Sequence, residues 1–427
     1  MSTAERMLNG TTYEDTFLVD GVRTGFADYA GPLARVSATD MGIKVARAAL
    51  ARSGTAPAGI DTVIGANVAQ TSTDAYLVPR HIGLYAGVPQ DRPALLVQRI
   101  CGSGFETIAQ AADAIKLGKA ETALCVGTES MSRNPVAAYE HRTGFALGQV
   151  KFVDTLWETL NDPASDTFMG MTAENLARRH RITREEVDEF AALSFARAIA
   201  ARNRGFHAGE IVALENETFE GEGLTPRQLR LPRGLDLWEE DSHIRPTDRE
   251  TLARLKPVFG GVQTGGNSSG IVDGAAAAVV AHRDRLGDRL GDRHGDRHDG
   301  RTPLARVVAA CAAGVPPEIM GIGPVPAIRG VLQLAGMTLE DIDLVEVNEA
   351  FGAQVIAVER ELGLDREKLN VNGGAIAIGH PLAATGLRCT ITLARALRER
   401  RLRWGVASAC VGGGQGIALL LENPEAA

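Results

Sequence analysis

The chain has 427 residues, of which 44% are hydrophobic and 23% are charged, so it is long enough for two or three domains around a large core. Its net charge of −8 argues against a protein that binds nucleic acid or an anionic membrane surface. The five cysteines include no Cys-x-x-Cys pair, which argues against a disulfide framework and against a structural zinc site.

The first residues, Met1–Asp15, are partly acidic and have no apolar core, so we expect neither a signal peptide nor a membrane anchor, and we expect a cytoplasmic protein. After them, short apolar runs alternate with longer amphipathic stretches, which is typical of the α/β class. The predicted strands are Phe17–Val19, Thr62–Ile64, Thr122–Val126, Ala275–Ala281, Leu344–Val347, Gly405–Cys410 and Gly416–Leu421. The predicted helices are Ala38–Arg52, Phe105–Leu117, Arg184–Asn203, Ala327–Ala335, Gln354–Leu362 and Leu387–Arg398.

Two short segments of the first part of the chain recur in the last part. The sequence of Ile60–Val63 is similar to that of Ile342–Val345, and Ala123–Gly127 is similar to Ser408–Gly412. The two pairs occur in the same order and with nearly the same separation. This agreement indicates a duplicated α/β half, and chance similarity is the alternative.

The composition changes between the two similar parts. Residues 130–267 contain few strand signals and predict an inserted domain of helices and loops. The predicted division is therefore an N-terminal half over 1–129, completed by about 268–284, this loop domain, and a C-terminal half over 301–427.

Residues 285–300 form a glycine-rich repeat in which positive and negative charges balance, and this composition predicts a solvated linker. The alternative is a metal site formed by His294 and His298. We expect the linker, because a glycine in each repeat opposes the helix that this histidine pair would need.

The residues with the strongest chemical signal are glycine-flanked cysteines and a histidine. Cys101 precedes a predicted helix, and the helix N-terminus stabilises a thiolate by about 0.3–1 kcal/mol, which lowers the thiol pKa by about one unit at most. A base is needed as well, and His380, held between Gly379 and Pro381, is the candidate. The alternatives are a cysteine and a histidine that serve only packing.

Three further segments could bind a reacting molecule. Cys410 is followed by the glycines 412–414, whose backbone N–H groups could donate to an oxyanion or could form a close-packed turn. Asn348 follows a predicted strand, where an asparagine is either a turn residue or part of a site. The glycine-rich residues 264–270 lack the lysine of a P-loop and could contact a ligand chain or form a plain loop.

Taken together, these segments resemble the thiolase family in both order and spacing, over about Thr16 to Glu422. The similar segments are Cys101–Gly104, Met169–Asn175, Gly266–Gly270, Asn348–Phe351, Gly379–Pro381 and Cys410–Gly414. The resemblance implies an α/β fold of the duplicated thiolase type, with a layered αβαβα core and an inserted loop domain.

The resemblance also implies a role for each candidate catalytic residue. Cys101 would be the nucleophile that carries the acyl group, and His380 would take its proton. Cys410 would be the acid and base at the carbon α to the second thioester. Asn348 would hold a water that forms one oxyanion hole with His380, and the backbone N–H groups of Cys101 and Gly412 would form the other.

Coenzyme A would be substrate and product rather than a bound cofactor, and the resemblance implies no tightly bound cofactor and no metal. Ser269 and Gly270 would line the pantetheine channel, and Arg245 would meet the nucleotide. The implied walls of the acyl pocket are Leu160, Met169, Phe259 and Phe351. The expected partners are acyl-CoA substrates and further copies of the chain in a homodimer or homotetramer, because Gly144–Pro163 resembles the loop that joins thiolase dimers into tetramers.

The implied activity is reversible acyl transfer between thioesters: Claisen condensation of two acetyl-CoA to acetoacetyl-CoA and CoA, or thiolysis of a short 3-ketoacyl-CoA. Phe168 stands where many short-chain biosynthetic members carry histidine. A degradative thiolase for longer or branched chains is therefore one alternative. A non-catalytic thiolase-like protein that binds acyl-CoA or lipid is another, and the presence of Cys101, His380 and Cys410 argues against it.

Overall fold

The computed structural model describes residues 9–287 and 302–426. Residues 288–300 of the predicted linker, which include His294 and His298, lie outside the described residues. The strands are β1 (Asn9–Thr12), β2 (Thr16–Thr24), β3 (Ala27–Asp28), β4 (Thr62–Ala66), β5 (Ala94–Val97), β6 (Thr122–Ser130), β7 (Val136–Ala137), β8 (Val153–Asp154), β9 (Asn161–Asp162), β10 (Thr167–Phe168), β11 (Ile211–Val212), β12 (Leu214–Glu215), β13 (Glu217–Phe219), β14 (Arg227–Leu229), β15 (Leu237–Trp238), β16 (Val272–His282), β17 (Ala305–Gly314), β18 (Leu344–Val347), β19 (Trp404–Val411) and β20 (Gln415–Glu422).

The helices of the same residues are α1 (Ala38–Ser53), α2 (Val78–Tyr85), α3 (Ser103–Lys116), α4 (Thr155–Thr159), α5 (Met169–His180), α6 (Arg184–Asn203), α7 (Arg249–Ala253), α8 (Pro324–Ala335), α9 (Gly352–Leu362), α10 (Ala375–Ile378) and α11 (Leu382–Arg400). Each predicted strand and helix is confirmed, with ends that differ by a few residues. Among the elements that the sequence did not predict are β5, β17, α2 and α5.

A large sheet runs through the molecule in the strand order β18-β19-β20-β17-β2-β16-β6-β4-β5. Strand β4 pairs in parallel with β5 and β6, and β18 pairs in parallel with β19. The other neighbours on this path are antiparallel. Strands β2 and β17 share a short register of two residue pairs, and this contact joins the two halves of the sheet.

The internal similarity in the sequence corresponds to equivalent strands. Ile60–Val63 leads into β4 and Ile342–Val345 into β18, while Ala123–Gly127 lies in β6 and Ser408–Val411 in β19. In both halves the first of these strands pairs in parallel with the second. The duplication indicated by the sequence is therefore confirmed.

Helices cover and separate the two halves of the sheet. Helices α1 and α2 pack on the outer face of the N-terminal half, and α8 packs on β17 and β20 in the other half. Between the halves lie α3 and α11, which contact each other. The order is helix, sheet, helix, sheet, helix, so the layered αβαβα core expected from the sequence is confirmed.

The two central helices approach each other closely enough for their backbones to meet. A Cβ added to Gly104 in α3 would lie 2.6 Å from the backbone nitrogen of Leu387 in α11. A Cβ added to Gly386 would lie 2.1 Å from the backbone nitrogen of Phe105. Both distances are too short for a side chain, so glycine is required at both positions. This contact also brings the N-terminal ends of α3 and α11 together.

The region between the halves, over 130–267, contains helices α4 to α7 and the short strands β7 to β15. It contributes four separate two-stranded sheets outside the large sheet. Among the described residues, no helix has both the length and the apolar character needed to cross a membrane.

Candidate active site

Cys101 lies in a tight turn between β5 and α3. The preceding residue, Ile100, has a φ of +42°, a left-handed conformation that costs a non-glycine residue about 1–3 kcal/mol. The hydroxyl of Ser103 secures the turn, because it accepts from the backbone N–H of Arg99 at 2.8 Å and donates to the carbonyl of Ile100 at 2.7 Å. This strained turn presents the thiol at the start of α3.

Two backbone N–H groups, those of Gly412 and of Cys101 itself, lie against the Cys101 sulfur and favour its thiolate. Burial has the larger effect and raises the pKa of the Cys101 thiol to about 11. Desolvation of the thiolate therefore outweighs the donors around it, and the contribution expected from the helix N-terminus stays a prediction. At pH 7 Cys101 is a neutral thiol and needs a base.

Arg99 connects the loop that carries Cys101 to the loop that carries Gly412. Its Nε donates to the Glu106 carboxylate at 2.6 Å, and its Nη1 donates to the side-chain oxygen of Gln415 at 2.9 Å. Glu106 lies in the first turn of α3, and Gln415 follows the three glycines 412–414. This bridge fixes the separation of the two backbone donors.

His380 is the base that the geometry offers. Gly379 has a φ of +104°, which directs the chain into the turn before α11, and the His380 N–H donates to the Gly270 carbonyl at 2.9 Å. The hydroxyl of Thr385 donates to the Pro381 carbonyl at 3.1 Å. It therefore accepts from Nδ1–H of His380, at 2.6 Å, which leaves the lone pair on Nε2.

Nε2 of His380 faces Asn348, whose side-chain nitrogen lies 3.4 Å away. Burial, followed by the positive charge of Arg388, lowers the pKa of His380 to about 3. The imidazole is therefore neutral at pH 7 and can accept a proton at Nε2.

Cys410, at the end of β19, is completely buried and packs with Met169, Met320 and Ala350. Burial raises the pKa of its thiol well above the ordinary value, and the negative charge on a Cys101 thiolate raises it further. This coupling indicates that the two sulfurs lie near each other. The structure thus brings Cys410 and Gly412 of the C-terminal half to Cys101 of the N-terminal half, and it places Asn348 beside His380.

A cavity of about 450 Å³ opens beside this cluster and reaches His380. Six of the seven predicted substrate residues line it: Leu160, Met169, Phe259, Ser269, Gly270 and Phe351. The remaining wall is largely aromatic or aliphatic and includes Met131, Trp157, Phe168, Val258, Ile271 and Leu382.

Arg245 does not line this cavity. It is exposed, its Nη1 lies 3.3 Å from the backbone carbonyl of His243, and its guanidinium stacks on the Phe195 ring at 5.5 Å. Its Nη1 also lies 3.3 Å from Nδ1 of His243, which does line the cavity, and the contact of Arg245 with a nucleotide stays a prediction.

Two residues that position the site were not predicted. Thr385 fixes the tautomer of His380, as described above. Glu129 is fully buried at the end of β6 and accepts from the backbone N–H groups of Val68, Ala69 and Ala383, at 3.2, 2.9 and 3.1 Å. It therefore ties a loop of the N-terminal half to the start of α11. Burial raises the pKa of Glu129 to about 7.

Comparison with known proteins agrees with this geometry. The model of the thiolase N-terminal domain matches residues 16–284, and that of the thiolase C-terminal domain matches residues 301–423. The mitochondrial 3-ketoacyl-CoA thiolase of Homo sapiens is 44% identical over 411 residues, which cover 95% of this chain and 98% of that protein. The acetyl-CoA acetyltransferase of Thiocystis violacea is 40% identical over 414 residues, covering 95% and 98%.

Among solved structures, human mitochondrial 3-ketoacyl-CoA thiolase in complex with CoA superimposes with a TM-score of 0.87 at 43% identity. The match covers 96% of this chain and 98% of that one. The duplicated fold with its inserted loop domain, expected from the sequence, is thereby confirmed as the thiolase fold. The chain belongs to the thiolase family.

Proposed function

We propose that this protein is an acyltransferase that cleaves 3-ketoacyl-CoA with CoA and catalyses the reverse Claisen condensation of acyl-CoA. The observation that carries the proposal is the pair of buried thiols, Cys101 and Cys410, together with the neutral imidazole of His380. Such a pair suits a reaction in which one sulfur accepts an acyl group and the other moves a proton.

In the direction of thiolysis, the Cys101 sulfur attacks the ketone carbon of the substrate while its proton passes to Nε2 of His380. The bond between the α-carbon and that ketone carbon breaks, which leaves an acyl group on Cys101 and the enolate of acetyl-CoA. Cys410 then donates its proton to the α-carbon, and acetyl-CoA leaves. The thiol of free CoA then attacks the acyl group and loses its proton to the Cys410 thiolate. The Cys101 sulfur leaves and takes back its proton from His380, so that all three groups regain their starting forms.

The charges that develop in these steps have donors placed beside them. The backbone N–H groups of Cys101 and Gly412 would stabilise the oxyanion on the acyl group. The side-chain oxygen of Asn348 is buried and has no hydrogen-bond partner among the described residues. A polar group of this kind is stabilised when a water donates to it, which supports the water-mediated oxyanion hole proposed for Asn348 and His380.

The proposed substrates are short 3-ketoacyl-CoA thioesters, including acetoacetyl-CoA. The rings of Trp157, Phe168, Phe259 and Phe351 occupy much of the wall of a cavity that must also hold the pantetheine arm. Longer or branched chains are the second candidate. Phe168 and the 44% identity to a protein named 3-ketoacyl-CoA thiolase favour that candidate.

A series of straight-chain 3-ketoacyl-CoA substrates from four to sixteen carbons tests this proposal. We expect kcat/KM to be highest at four or six carbons and to fall about ten-fold or more by ten carbons, because each methylene that does not fit costs about 1–3 kcal/mol. A value that stays level or rises to sixteen carbons would favour the second candidate. No cleavage of any member would refute the activity itself.

A homo-oligomer is part of the proposal. Large apolar side chains are exposed on the segment over 136–157, including Tyr139 at 74% and Phe152 at 70%. Exposed apolar surface of this kind is typical of protein interfaces. The proposed assembly is a homodimer or a homotetramer.

The expectation of a cytoplasmic protein is contradicted by the relatives. The 3-ketoacyl-CoA thiolases of human, orangutan and cattle, each 44% identical to this chain, are named mitochondrial. The sequence of Met1–Asp15 was therefore not a sound basis for the location of the protein.

Replacing Thr385 by valine is expected to lower kcat about ten-fold with little change in KM. The variant keeps the shape of the side chain but removes the acceptor for Nδ1–H of His380, so the imidazole is no longer held with its lone pair on Nε2. Steady-state thiolysis of acetoacetyl-CoA measures the effect. The matched control is Thr390→Val, in the same helix, whose hydroxyl donates only to the Gly386 carbonyl. Equal kcat values in the two variants would contradict the role of Thr385.

A further inference from the structure

Beside the residues already assigned, a second histidine lines the catalytic cavity. His243 is 9% exposed, follows β15 in the region between the halves, and shares the cavity with His380. Its Nδ1 lies 2.5 Å from a carboxylate oxygen of Asp28 in β3, and Asp28 lines the same cavity. The other ring nitrogen, Nε2, is buried and has no hydrogen-bond partner among the described residues.

Asp28 determines which nitrogen of His243 is available to a ligand. The hydrogen bond from His243 is the main cause that lowers the pKa of Asp28 below its ordinary value. The hydroxyl of Ser242 also donates to this carboxylate, at 3.0 Å. An ionised carboxylate can only accept, so Nδ1 of His243 carries the proton. Nε2 is the nitrogen left for a partner.

The backbone of Gly270 holds the imidazole in place. A Cβ on Gly270 would lie 2.9–3.0 Å from three atoms of the His243 ring, so the ring packs directly against this glycine. The Gly270 carbonyl in turn accepts from the backbone N–H of His380. Both histidines thus contact Gly270, His243 through its ring and His380 through its backbone N–H. His243 therefore lies beside the part of the cavity that leads to His380.

We propose that Nε2 of His243 forms a hydrogen bond with an amide of the pantetheine arm of the acyl-CoA substrate, with Asp28 orienting the imidazole. The inference rests on the proposed function, because that function places a CoA thioester in the cavity. The pantetheine arm is the part of CoA between the reacting sulfur and the nucleotide, and its polar groups are two amides and a hydroxyl. An amide offers both an N–H and a carbonyl, so it satisfies Nε2 whether that nitrogen accepts or donates. The wall around His243 is largely apolar, which strengthens such a bond.

The test compares binding of CoA and of free pantetheine by isothermal titration calorimetry. Pantetheine keeps the two amides and lacks the nucleotide. We expect His243→Phe, which keeps a ring and loses Nε2, to weaken binding of both ligands about ten-fold, as expected for one hydrogen bond in an apolar site. His243→Gln retains a polar group near the position of Nε2 and should bind both within about three-fold of the wild type.

Two further variants and a kinetic measurement complete the test. Asp28→Asn should weaken binding about three-fold, because the imidazole is no longer held by a charge. His81→Phe removes the imidazole of another histidine–aspartate pair, His81 with Asp74, which does not line the cavity, and it should leave pantetheine binding unchanged. In thiolysis of acetoacetyl-CoA, His243→Phe should raise KM about ten-fold and leave kcat within about two-fold of the wild type.

The inference is overturned if His243→Phe binds pantetheine as tightly as the wild type does. This includes the result in which the variant binds only CoA more weakly, because His243 would then contact the nucleotide. A loss in kcat with an unchanged KM would also contradict it. Failure of the proposed function gives a different result, because the wild type would then bind CoA without cleaving any 3-ketoacyl-CoA. If His243→Phe does not fold, His243→Leu, which also lacks Nε2, takes its place, and pantetheine binding as tight as that of the wild type would contradict the inference.

Discussion

Replacing Cys101 by alanine is expected to abolish the acyl-enzyme and to lower turnover by at least about four orders of magnitude. The thiol is the only nucleophile that the proposed mechanism offers to the ketone carbon, and losses of this size are typical when a covalent nucleophile is removed. The measurement is mass spectrometry of the protein after incubation with acetyl-CoA and acid quenching, with the modified peptide identified. The wild type should carry one acetyl group on Cys101.

The matched control is Cys125→Ala. Cys125 is also buried, and its thiol donates to the Thr107 carbonyl at 3.3 Å, away from the site. This variant should acetylate and turn over like the wild type. An acetyl group on another residue of the wild type, or none at all, would remove Cys101 from its assigned role.

Replacing Cys410 by alanine is expected to separate the two halves of the reaction. The variant should still form the acyl-enzyme at Cys101, because the base for that step is His380. It should lose Claisen condensation by at least about 10², the loss typical of a missing general acid or base. Exchange of the α-protons of acetyl-CoA with deuterium from solvent, followed by NMR, isolates this step and should fall by the same factor.

Cys311→Ala provides the comparison, because Cys311 is a buried thiol of β17 in the same half of the sheet and lies outside the cluster around the reacting groups. It should exchange α-protons at the rate of the wild type. Exchange at that rate in Cys410→Ala would show that another group moves the proton. Loss of the acyl-enzyme in Cys410→Ala would show that Cys410 acts in the first step.

Much of the fold could be predicted from the sequence because its main strands are apolar runs with clear ends. Alanine carries little strand preference, so the two alanine-rich strands were ambiguous from the sequence: β16 was predicted and β17 was missed. Helix α2 was missed because it contains Pro79 and Gly83 within eight residues. Pairing across the sheet, rather than local preference, determines β17, and packing against β4 and α1 determines α2.

The candidate site likewise contains residues that the sequence identified and contacts that it did not. Glycines next to Cys101, His380 and Cys410 mark those residues locally, so sequence could identify them. Other contacts of the site join residues far apart in the sequence: Glu129 accepts from the N–H of Ala383, and Asp28 accepts from His243. No local pattern encodes such contacts, since both partners look ordinary in their own segments. The burial that raises the pKa of Cys101 depends on the whole fold, so the residues around Cys101 in the sequence do not reveal it.

The meeting of α3 and α11 at Gly104 and Gly386 has a consequence for how this protein can change over evolutionary time. The nucleophile precedes one of these helices and the base precedes the other, so the gap between them is set by main-chain atoms in contact. Exchanges among leucine, isoleucine and valine elsewhere in the interior can shift the outer helices without altering that gap. Substitutions in the core therefore leave the separation of the nucleophile and the base unchanged. The residues that line the cavity can be replaced while these two reacting groups keep their positions.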